Sequence, residues 1–400
     1  MDQRLEFVTL AKSGRFEVLS LCREFGISRK TGYKWIERYR QHGREGLCDL
    51  SRAPKGCPGR TDAEVEAMVV MERRKHPTWG PKKIGKVLEV VHQIDRVPAR
   101  STIGEILKRN GMVEARRRRP GAFKVERSEL QRAERNNQVW ATDYKGWFYL
   151  GNAMRCDPLT VSDLYSRYII RLEAVPQATQ YWSRKAFERG FERYGVPEVM
   201  RVDNGSPFGS MGPGGLSKLS AWWITLGIRV EFTRPAHPQD NGSHERMHRT
   251  MKAECCQPAS ENRAAQQRRF ERWRKHFNEE RPHEAIGYRF PAEVYQASAR
   301  RYDASVTADT YEAGAETYPV GDSGMVYWKG KNWAVGEAFI GLRVAMEANP
   351  EPDADPDTRL VRFANVELGV IGDHVCGRLR PTASAVRKRE SARHNKRERS

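Results

Sequence analysis

Three acidic residues, Asp143, Asp203 and Glu245, have local contexts that allow a folded chain to bring them together. Asp143 lies in a β-rich run, residues 139–150, Asp203 ends a short strand-like run, and Glu245 falls in the first turn of a basic amphipathic helix. Phosphoryl transfer between nucleic-acid strands uses two divalent ions about 3.5–4 Å apart. Magnesium prefers carboxylate, phosphate and water oxygens. If the three acids converge at one sheet edge, they form a magnesium site.

The third acid also belongs to a competing motif. Residues 244–248 read His-Glu-x-x-His, a pattern in which two histidines one helical turn apart bind zinc and the glutamate acts as a base. This short pattern accounts for neither Asp143 nor Asp203, nor for the basic character of the chain. We therefore favour magnesium chemistry at Glu245 and keep a zinc metalloprotease as an alternative.

The charge of the chain indicates a polyanionic partner. The 400 residues carry a net charge of +19 and a sequence pI near 9.7, which favours nucleic acid and salt-dependent association. The seven cysteines are scattered without a Cys-x-x-Cys pair, which argues against a disulfide framework and a structural zinc. No apolar run approaches the about 20 residues of a membrane span, and the first residues lack a signal-peptide core. We expect a cytoplasmic, nucleoid-associated protein that binds no membrane.

The N-terminal residues 1–57 are predicted to be a helix-turn-helix DNA-binding domain. Two short amphipathic helices occupy residues 4–25, and Gly26-Ile27-Ser28 forms a turn whose serine caps the next helix. A basic helix follows the turn, as in DNA-binding modules of this kind. The candidate DNA contacts on that helix are Arg29, Lys30, Lys34 and Arg38. A three-helix bundle with a solvated basic face is the alternative.

A second helical unit is predicted for residues 60–114, followed by a basic linker, residues 115–135. Apolar residues recur at helical spacing in three segments, near 65–75, 82–91 and 101–110. The unit is either a second helix-turn-helix-like domain or a structural spacer. The linker contains four consecutive arginines and is either solvated or tracks DNA phosphates.

From residue 139 the pattern changes to strands and helices in alternation. Three strands, a helix, a strand, a helix, a strand and a helix follow one another, which is the order of a ribonuclease-H-like domain. We therefore predict an α/β fold in which residues 136–298 form a ribonuclease-H-like catalytic core behind the all-α domains. Short strands in residues 316–377 predict a small C-terminal β-barrel-like module. Residues 378–400 are predicted to be a basic disordered tail.

Three spaced motifs give the chain a family resemblance. They are Trp140-Ala-Thr-Asp143, Asp203-Asn-Gly-Ser-Pro-Phe208 and Pro235-Ala-His-Pro-Gln-Asp-Asn-Gly-Ser-His-Glu245-Arg246. In type, spacing and order they resemble the motifs of the retroviral-integrase-like DDE transposases of bacterial insertion sequences. Residues 247–254 and 278–285 also look like parts of that family. The interval between Asp203 and Glu245 is longer than is typical, and a glycine-rich insert, residues 209–215, accounts for it as a flexible surface loop.

The resemblance implies specific roles. Asp143, Asp203 and Glu245 are expected to be the catalytic triad that binds Mg²⁺, with Mn²⁺ as a possible substitute. The chain is expected to bind the terminal inverted repeats of its element, to cleave a phosphodiester, and to join the resulting 3′-OH to target DNA. Arg246, Arg249 and Lys252 become further candidate DNA contacts. Pairing of two element ends implies a homo-oligomer on double-stranded DNA.

Several alternatives remain at this stage. A DNA-binding regulator with an inactive integrase domain would share every motif. Asp157, before Pro158 in a predicted loop, and Asp163, at an inner strand, are alternative first carboxylates that we expect to be solvated or structural. Glu254 is expected at the surface. Arg249 and Lys252 equally suit a solvated helix face.

Overall fold

The computed structural model describes residues 2–49, 61–113, 130–234, 242–305, 311–312, 314–350, 355–372 and 377–381. Its chain divides into two compact units, residues 1–63 and 64–400. Three parts of the sequence analysis lie outside the described residues. They are the four consecutive arginines of the predicted linker, most of the predicted tail, and the segment 235–241 that precedes Glu245. In the part of the chain that is described, no helix is long and apolar enough to cross a membrane.

The first unit is a three-helix bundle. It contains α1 (Asp2–Lys12), α2 (Val18–Glu24) and α3 (Arg29–His42), and a 3₁₀ turn follows at Gly43–Leu47. The Ser28 hydroxyl accepts a hydrogen bond from the Thr31 amide at 3.2 Å, which caps α3 as predicted. Phe7 lies at the centre and contacts Phe25 and Trp35 edge to face. The helix–turn–helix order expected for this segment is therefore confirmed.

A second helical bundle begins the second unit. It contains α4 (Ala63–Lys75), α5 (Pro81–Val90) and α6 (Arg100–Arg109). Trp79, in the loop before α5, is 1% exposed and packs with residues of all three helices. Helix α6 begins at Arg100, two residues before the start that a cap at Ser101 would give, so Ser101 lies in its first turn and does not cap it.

A mixed sheet carries the acidic residues. Its strands are β1 (Val139–Tyr144), β2 (Phe148–Tyr149), β3 (Arg155–Asp163), β4 (Ile169–Val175), β5 (Val199–Val202) and β6 (Arg229–Phe232). The order is β2-β3-β1-β5-β6, with β4 also paired to β3. Strand β1 is antiparallel to β3 and parallel to β5, and β5 is parallel to β6. The β-rich run 139–150 is thus two strands, because Gly146 turns the chain at a positive φ of 87°.

Helices cover both faces of this sheet. They are α7 (Gln180–Tyr194), α8 (Lys218–Thr225), α9 (Gly242–Met251), α10 (Arg263–Glu279) and α11 (Pro291–Val294). Helices α7 and α8 enclose one core with Trp140 and Met200. Helices α9 and α10 enclose another with Ile169 and Leu172. The predicted α/β catalytic core is confirmed as a sheet between two helical layers.

The C-terminal strands form two open sheets. They are β7 (Thr317–Pro319), β8 (Met325–Trp328), β9 (Lys331–Ala334), β10 (Arg343–Ala348), β11 (Arg359–Phe363) and β12 (Val366–Ile371). Four of them pair in the order β12-β11-β10-β7, while β8 and β9 form a separate hairpin. No closed barrel is found among the described strands, so the predicted barrel-like closure is not confirmed. Leu216, which lies just before α8, and Ala221 and Ile224 within that helix share the core of this module and attach it to the catalytic domain.

The glycine-rich insert lies at this attachment. Its Ser210 amide donates to the Gly215 carbonyl at 2.9 Å, and the Ser210 hydroxyl donates to Leu216 at 2.6 Å. A Cβ atom on Gly214 would lie 2.9 Å from Val366 of β12, so a larger residue has no room there. One side of the insert thus packs on the β module, while Met211 is 97% exposed, as expected for a surface loop. The flexibility of the loop stays a prediction.

Candidate active site

The sheet places Asp143 and Asp203 side by side. Parallel pairing of β1 with β5 sets Ala141 opposite Arg201, and the same register continued by two residues sets Asp143 opposite Asp203. Both side chains then lie on one face, because strand side chains alternate with a period of two. Asp143 follows the four buried residues of β1, and Asp203 follows the last residue of β5. Both acids therefore lie at the carboxyl-terminal edge that these two parallel strands share.

Asp143 is the less exposed of the two. Burial, the charge of Asp203 and a smaller contribution from Glu245 raise the pKa of Asp143 to about 7, although a hydrogen bond from the Tyr144 amide and the charge of Lys145 act in the opposite sense. Electrostatic repulsion of this kind requires short separations or a low local dielectric constant. The three acids therefore belong to one electrostatic neighbourhood. Lys145, which the sequence analysis did not single out, belongs to it as well.

Asp203 sits at a tight exit from β5. Its carboxylate accepts a hydrogen bond from the Gly205 amide at 3.2 Å, while Asn204 donates to the Thr233 carbonyl at 2.6 Å. Partial desolvation raises the pKa of Asp203, although the side chain still reaches solvent. The Asp-Asn-Gly sequence thus anchors the turn to the end of β6 and leaves the carboxylate accessible.

Glu245 is exposed on α9, and the opposite side of that helix is buried. His244, Met247, His248 and Met251 seat α9 on the sheet. A residue one position away from this buried stripe, such as Glu245, then lies at the flank of the helix. The packing of α9 therefore fixes where the third carboxylate is presented.

The two histidines of the His-Glu-x-x-His pattern are bound to one hydroxyl. Nε2 of His244 and Nε2 of His248 each lie 2.6 Å from Oγ1 of Thr160 on β3. That hydroxyl donates its proton to the Asp143 carbonyl at 3.0 Å, so it accepts from both rings, as its two lone pairs allow. Burial lowers the pKa of His244 to about 3 and that of His248 to about 2. Both rings are neutral, and they attach α9 to β3.

This arrangement argues against the zinc alternative and gives the two histidines a positioning role. Ser162 satisfies the remaining nitrogen of His244 at 3.2 Å, and Nδ1 of His248 lies 3.7 Å from the Asp143 carboxylate. The imidazole nitrogens that zinc would need are hydrogen-bonded to β3. Thr160 lies opposite Asp143 in the pairing of β1 with β3. The sequence alone does not give this pairing, so it could not indicate the role of Thr160.

The donor set fits hard divalent cations. Asp143, Asp203 and Glu245 offer carboxylate oxygens, which suit Mg²⁺ or Mn²⁺. Burial and, after it, repulsion by the other two acids raise the pKa of Asp143, and a bound cation would relieve that repulsion. Within the described ranges, no three His, Cys, Asp or Glu side chains are gathered closely enough to hold a metal ion. A cation held by all three acids would therefore need them closer together than the described residues place them.

The alternative acids have structural partners. Asp157 lies within β3 and not in a loop; it is 2% exposed, and Arg155 binds its carboxylate at 2.6 Å. Asp163 accepts hydrogen bonds from Asn137 and from the amide and hydroxyl of Ser166. Both acids are structural, as expected, and only the loop position predicted for Asp157 is wrong. Glu254 is not a free surface residue, because Arg281, Thr78 and Trp273 all bind it.

The predicted DNA contacts lie in separate places. Arg29, Lys30 and Lys34 are exposed on α3, and Arg38 is half-buried there. Arg246, Arg249 and Lys252 are exposed on α9 and the π-helical turn that continues it. Helical spacing puts Arg249 and Lys252 on the Glu245 flank, four and seven residues on, whereas Arg246 lines a cavity with Ser243 and Thr250 on the other flank.

Comparison with known families agrees with this architecture. Two models described as "Integrase core domain" match residues 133–238 and 226–291. A model described as "Helix-turn-helix domain" matches residues 3–55, and one described as "Homeodomain-like domain" matches residues 31–107. The helical N-terminal region and the α/β core are thus each recognised independently.

Similar proteins come from insertion elements and retroviruses. The chain is 26% identical over 192 residues to an uncharacterized 31.7 kDa protein of insertion element IS407 from Burkholderia multivorans, covering 48% of this chain and 67% of that protein. It is 27% identical over 195 residues to an uncharacterized 39.2 kDa protein of IS476 from Xanthomonas euvesicatoria, covering 48% and 54%. A Pol polyprotein of feline endogenous virus ECE1 is 30% identical over 139 residues, covering 33% and 12%.

Proposed function

We propose that this chain, which belongs to the integrase-core transposases of bacterial insertion sequences, binds the terminal inverted repeats of its element and performs the cleavage and strand-transfer reactions itself. The observation that carries the proposal is the parallel register of β1 and β5, which sets Asp143 beside Asp203. Glu245 contributes to the raised pKa of Asp143 and completes a triad of carboxylates. Residues 136–298 are assigned to this catalytic core.

Divalent magnesium, or manganese in its place, would be held by Asp143, Asp203 and Glu245. When bound, it activates the attacking oxygen and stabilises the leaving oxygen of an in-line displacement. The rest of the work falls to the protein. Thr160 and the two neutral histidines fix α9 against β1 and β3, so that the acids on these elements keep their relative positions. The Asn204 contact to Thr233 holds the exit of β5 in place for Asp203.

Recognition of DNA is assigned to two surfaces. Arg29, Lys30, Lys34 and Arg38 on α3 would contact the terminal repeat, as the helix after the turn does in this kind of module. Arg249 and Lys252, on the flank of α9 that carries Glu245, would bind phosphates of the DNA end. Two ends must be paired for transposition, so we propose a homo-oligomer on DNA, acting at the nucleoid in the cytoplasm.

A strand-transfer assay with Mg²⁺ on candidate element ends tests the catalytic assignment. We expect Asp203→Asn and Glu245→Gln each to lose at least about 100-fold in activity, because charge stabilisation of this kind contributes several kcal/mol to catalysis. Glu192→Gln, at an exposed position of α7, is the matched control and should keep wild-type activity. Activity that survives in either triad variant would refute the assignment.

The same variants separate an enzyme from an inactive regulator. Binding of the element ends should be kept in Asp203→Asn, because the DNA-binding helix α3 lies in the other compact unit. If the wild-type chain binds the ends but neither cleaves nor joins them with Mg²⁺ or Mn²⁺, the protein is a regulator. A protease activity that falls with zinc content in His248→Ala would instead restore the metalloprotease alternative.

A further inference from the structure

A basic cavity lies between the second helical bundle and the catalytic core. Its volume is about 360 Å³, at the lower end of the roughly 300–1,000 Å³ of small-ligand sites. The side chains that matter most for its chemistry are Lys83, Arg167, Arg246, Arg281, Ser243 and His283. They come from α5, from the turn between β3 and β4, from α9 and from the segment after α10. Four cations therefore surround one space.

The acids near this cavity have other partners. Glu254 binds Arg281 at 3.0 Å and also accepts from Thr78 and Trp273. Glu284, on the cavity wall, is paired with Lys82 at 2.5 Å. Asp163, also on the wall, accepts three hydrogen bonds within its own turn and from Asn137. Among the described residues, Arg281 is the one of the four cations with a carboxylate at ion-pair distance. Asp163 acts electrostatically on Arg167, and Glu284 acts on Lys83 and Arg246. Four cations and two carboxylates thus line the cavity, which leaves an excess of positive charge.

Buried polar atoms on the wall are left without a protein partner. Among the described residues, neither Nε of Arg167 nor Nε2 of His283 has a hydrogen-bond acceptor or donor. A ligand oxygen that accepted from Nε of Arg167 would remove the cost of leaving this buried donor unpaired. Burial, together with the charges of Lys83, Arg281 and Arg167, lowers the pKa of His283 to about 3. Lys83, Arg281 and Arg167 are therefore all close enough to act on His283.

The cavity opens on one flank of α9. Ser243, Arg246 and Thr250 recur at helical spacing and line it, while the adjacent position Glu245 belongs to the other flank. Arg246 and Ser243 are exposed and form the entrance. A strand of DNA that passes over α9 would meet the carboxylate on one side and this entrance on the other.

We propose that this cavity binds a phosphate group of the DNA backbone, away from the position where the strand is cut. The lining favours phosphate over a nucleobase, because it offers cationic donors and the hydroxyl groups of one helix flank. A nucleobase would need aromatic rings to stack on, and Phe277 is the one aromatic residue of the lining apart from histidine. The inference rests on the proposed function, because DNA supplies the phosphate. Occupation would also hold Lys83 of the second helical bundle to the catalytic core.

Binding of the full chain to double-stranded DNA of random sequence tests the site. We expect Lys83→Gln and Arg246→Gln each to weaken binding about three- to tenfold at roughly 0.1 M salt, and to reduce the slope of log K against log salt by about one. Lys86→Gln is the matched control. It removes the same charge from the same helix but at a residue paired with Glu89 outside the cavity, so it should leave both quantities close to the wild type.

Two results would overturn the proposal. One is equal affinity and salt slope in Lys83→Gln and Lys86→Gln, with thermal unfolding showing that both variants are folded. The other concerns inorganic phosphate or pyrophosphate, whose binding is measured by calorimetry. If Lys83→Gln loses this binding while its DNA binding is unchanged, the ligand is a free anion. Competition of pyrophosphate with DNA in the wild type, absent in Lys83→Gln, is the supporting result.

Failure of this site and failure of the catalytic proposal look different. A chain that cleaves and joins DNA with Mg²⁺, but whose Lys83→Gln variant binds DNA normally, is a transposase without this phosphate site. A chain whose Lys83→Gln variant binds DNA more weakly, but which never cleaves, has the phosphate site and lacks the proposed activity.

Discussion

The two helical bundles have similar sequences of elements and different surroundings. In the first, α3 follows a serine-capped turn and exposes Arg29, Lys30 and Lys34. In the second, polar and aromatic side chains face the catalytic core. His76 stacks on Trp79 with ring centroids 3.7 Å apart and on His276 of α10 at 4.8 Å. The first bundle therefore has the surface of a DNA reader, while the second is built into the catalytic unit.

This difference bears on the choice between a second DNA-binding domain and a spacer. Thr78 and Lys82 of the second bundle bind Glu254 and Glu284 of the core. The ion pair at Lys82 is exposed and contributes little, whereas the stacked rings are partly buried. These contacts attach the second bundle to the catalytic core, as expected of a spacer, while the model described as "Homeodomain-like domain" spans the same helices at residues 31–107. The choice between the two roles stays a prediction.

The largest expected effect is on stability, at Trp79. Trp79→Ala removes a fully buried ring from the core of the second bundle, and we expect a loss of about 3–5 kcal/mol in the free energy of unfolding. Because this bundle belongs to the unit that contains the catalytic core, the transition that should shift is that of residues 64–400. Denaturant unfolding followed by circular dichroism measures it.

Phe7→Ala is the matched variant in the first bundle. Phe7 is equally buried there, and its loss should shift the unfolding of residues 1–63 while leaving the transition of the larger unit in place. If both variants shift the same single transition, the division into two compact units does not hold in solution, and the comparison of the two bundles loses its basis.

The second effect is on DNA affinity, at Lys30 and Lys34. We expect the double variant Lys30→Gln/Lys34→Gln to weaken binding to the element ends at least about tenfold and to lower the salt slope by about two, because each lysine neutralises one phosphate. Both side chains are exposed, so stability should not change. Arg15→Gln/Arg44→Gln removes two exposed charges of the same unit outside α3 and serves as the control. Equal losses in the two pairs would mean that α3 is not the reading helix.

Much of this architecture follows from local sequence. Helical spacing located α3, and Asp-Asn-Gly located the exit of β5. What local patterns missed depends on distant partners. Glu254 has the spacing of a surface residue, but its partners Thr78 and Arg281 lie far away in sequence.

Two further differences have the same cause. The composition of the glycine-rich insert predicts a flexible surface loop, and its contact with β12, more than 150 residues later, has no local signal. By contrast, the helical period alone places Arg246 and Arg249 on different flanks of α9, so this separation follows from the sequence. The role of Thr160 required the strand register, which one sequence does not reveal.

The smallest effect is a pH dependence of stability that only the second bundle should show. Burial, together with the charge of Arg281, lowers the pKa of Lys83 to about 8, whereas an unfolded lysine titrates near about 10.4. Between these values the unfolded chain binds more protons than the folded one, so the stability contributed by Lys83 rises with pH. The expected gain from pH 8 to pH 9 is about 1 kcal/mol.

The readout is the difference between wild type and Lys83→Gln, because tyrosines and cysteines titrate in the same range and cancel in that difference. Lys86→Gln, on the same helix, should keep the wild-type slope. A phosphate ligand favours the charged lysine, so saturating pyrophosphate should flatten the rise in the wild type if it enters the cavity. A slope in Lys83→Gln equal to that of the wild type would show that Lys83 is solvated, and the second bundle would then resemble the first in having an open basic surface.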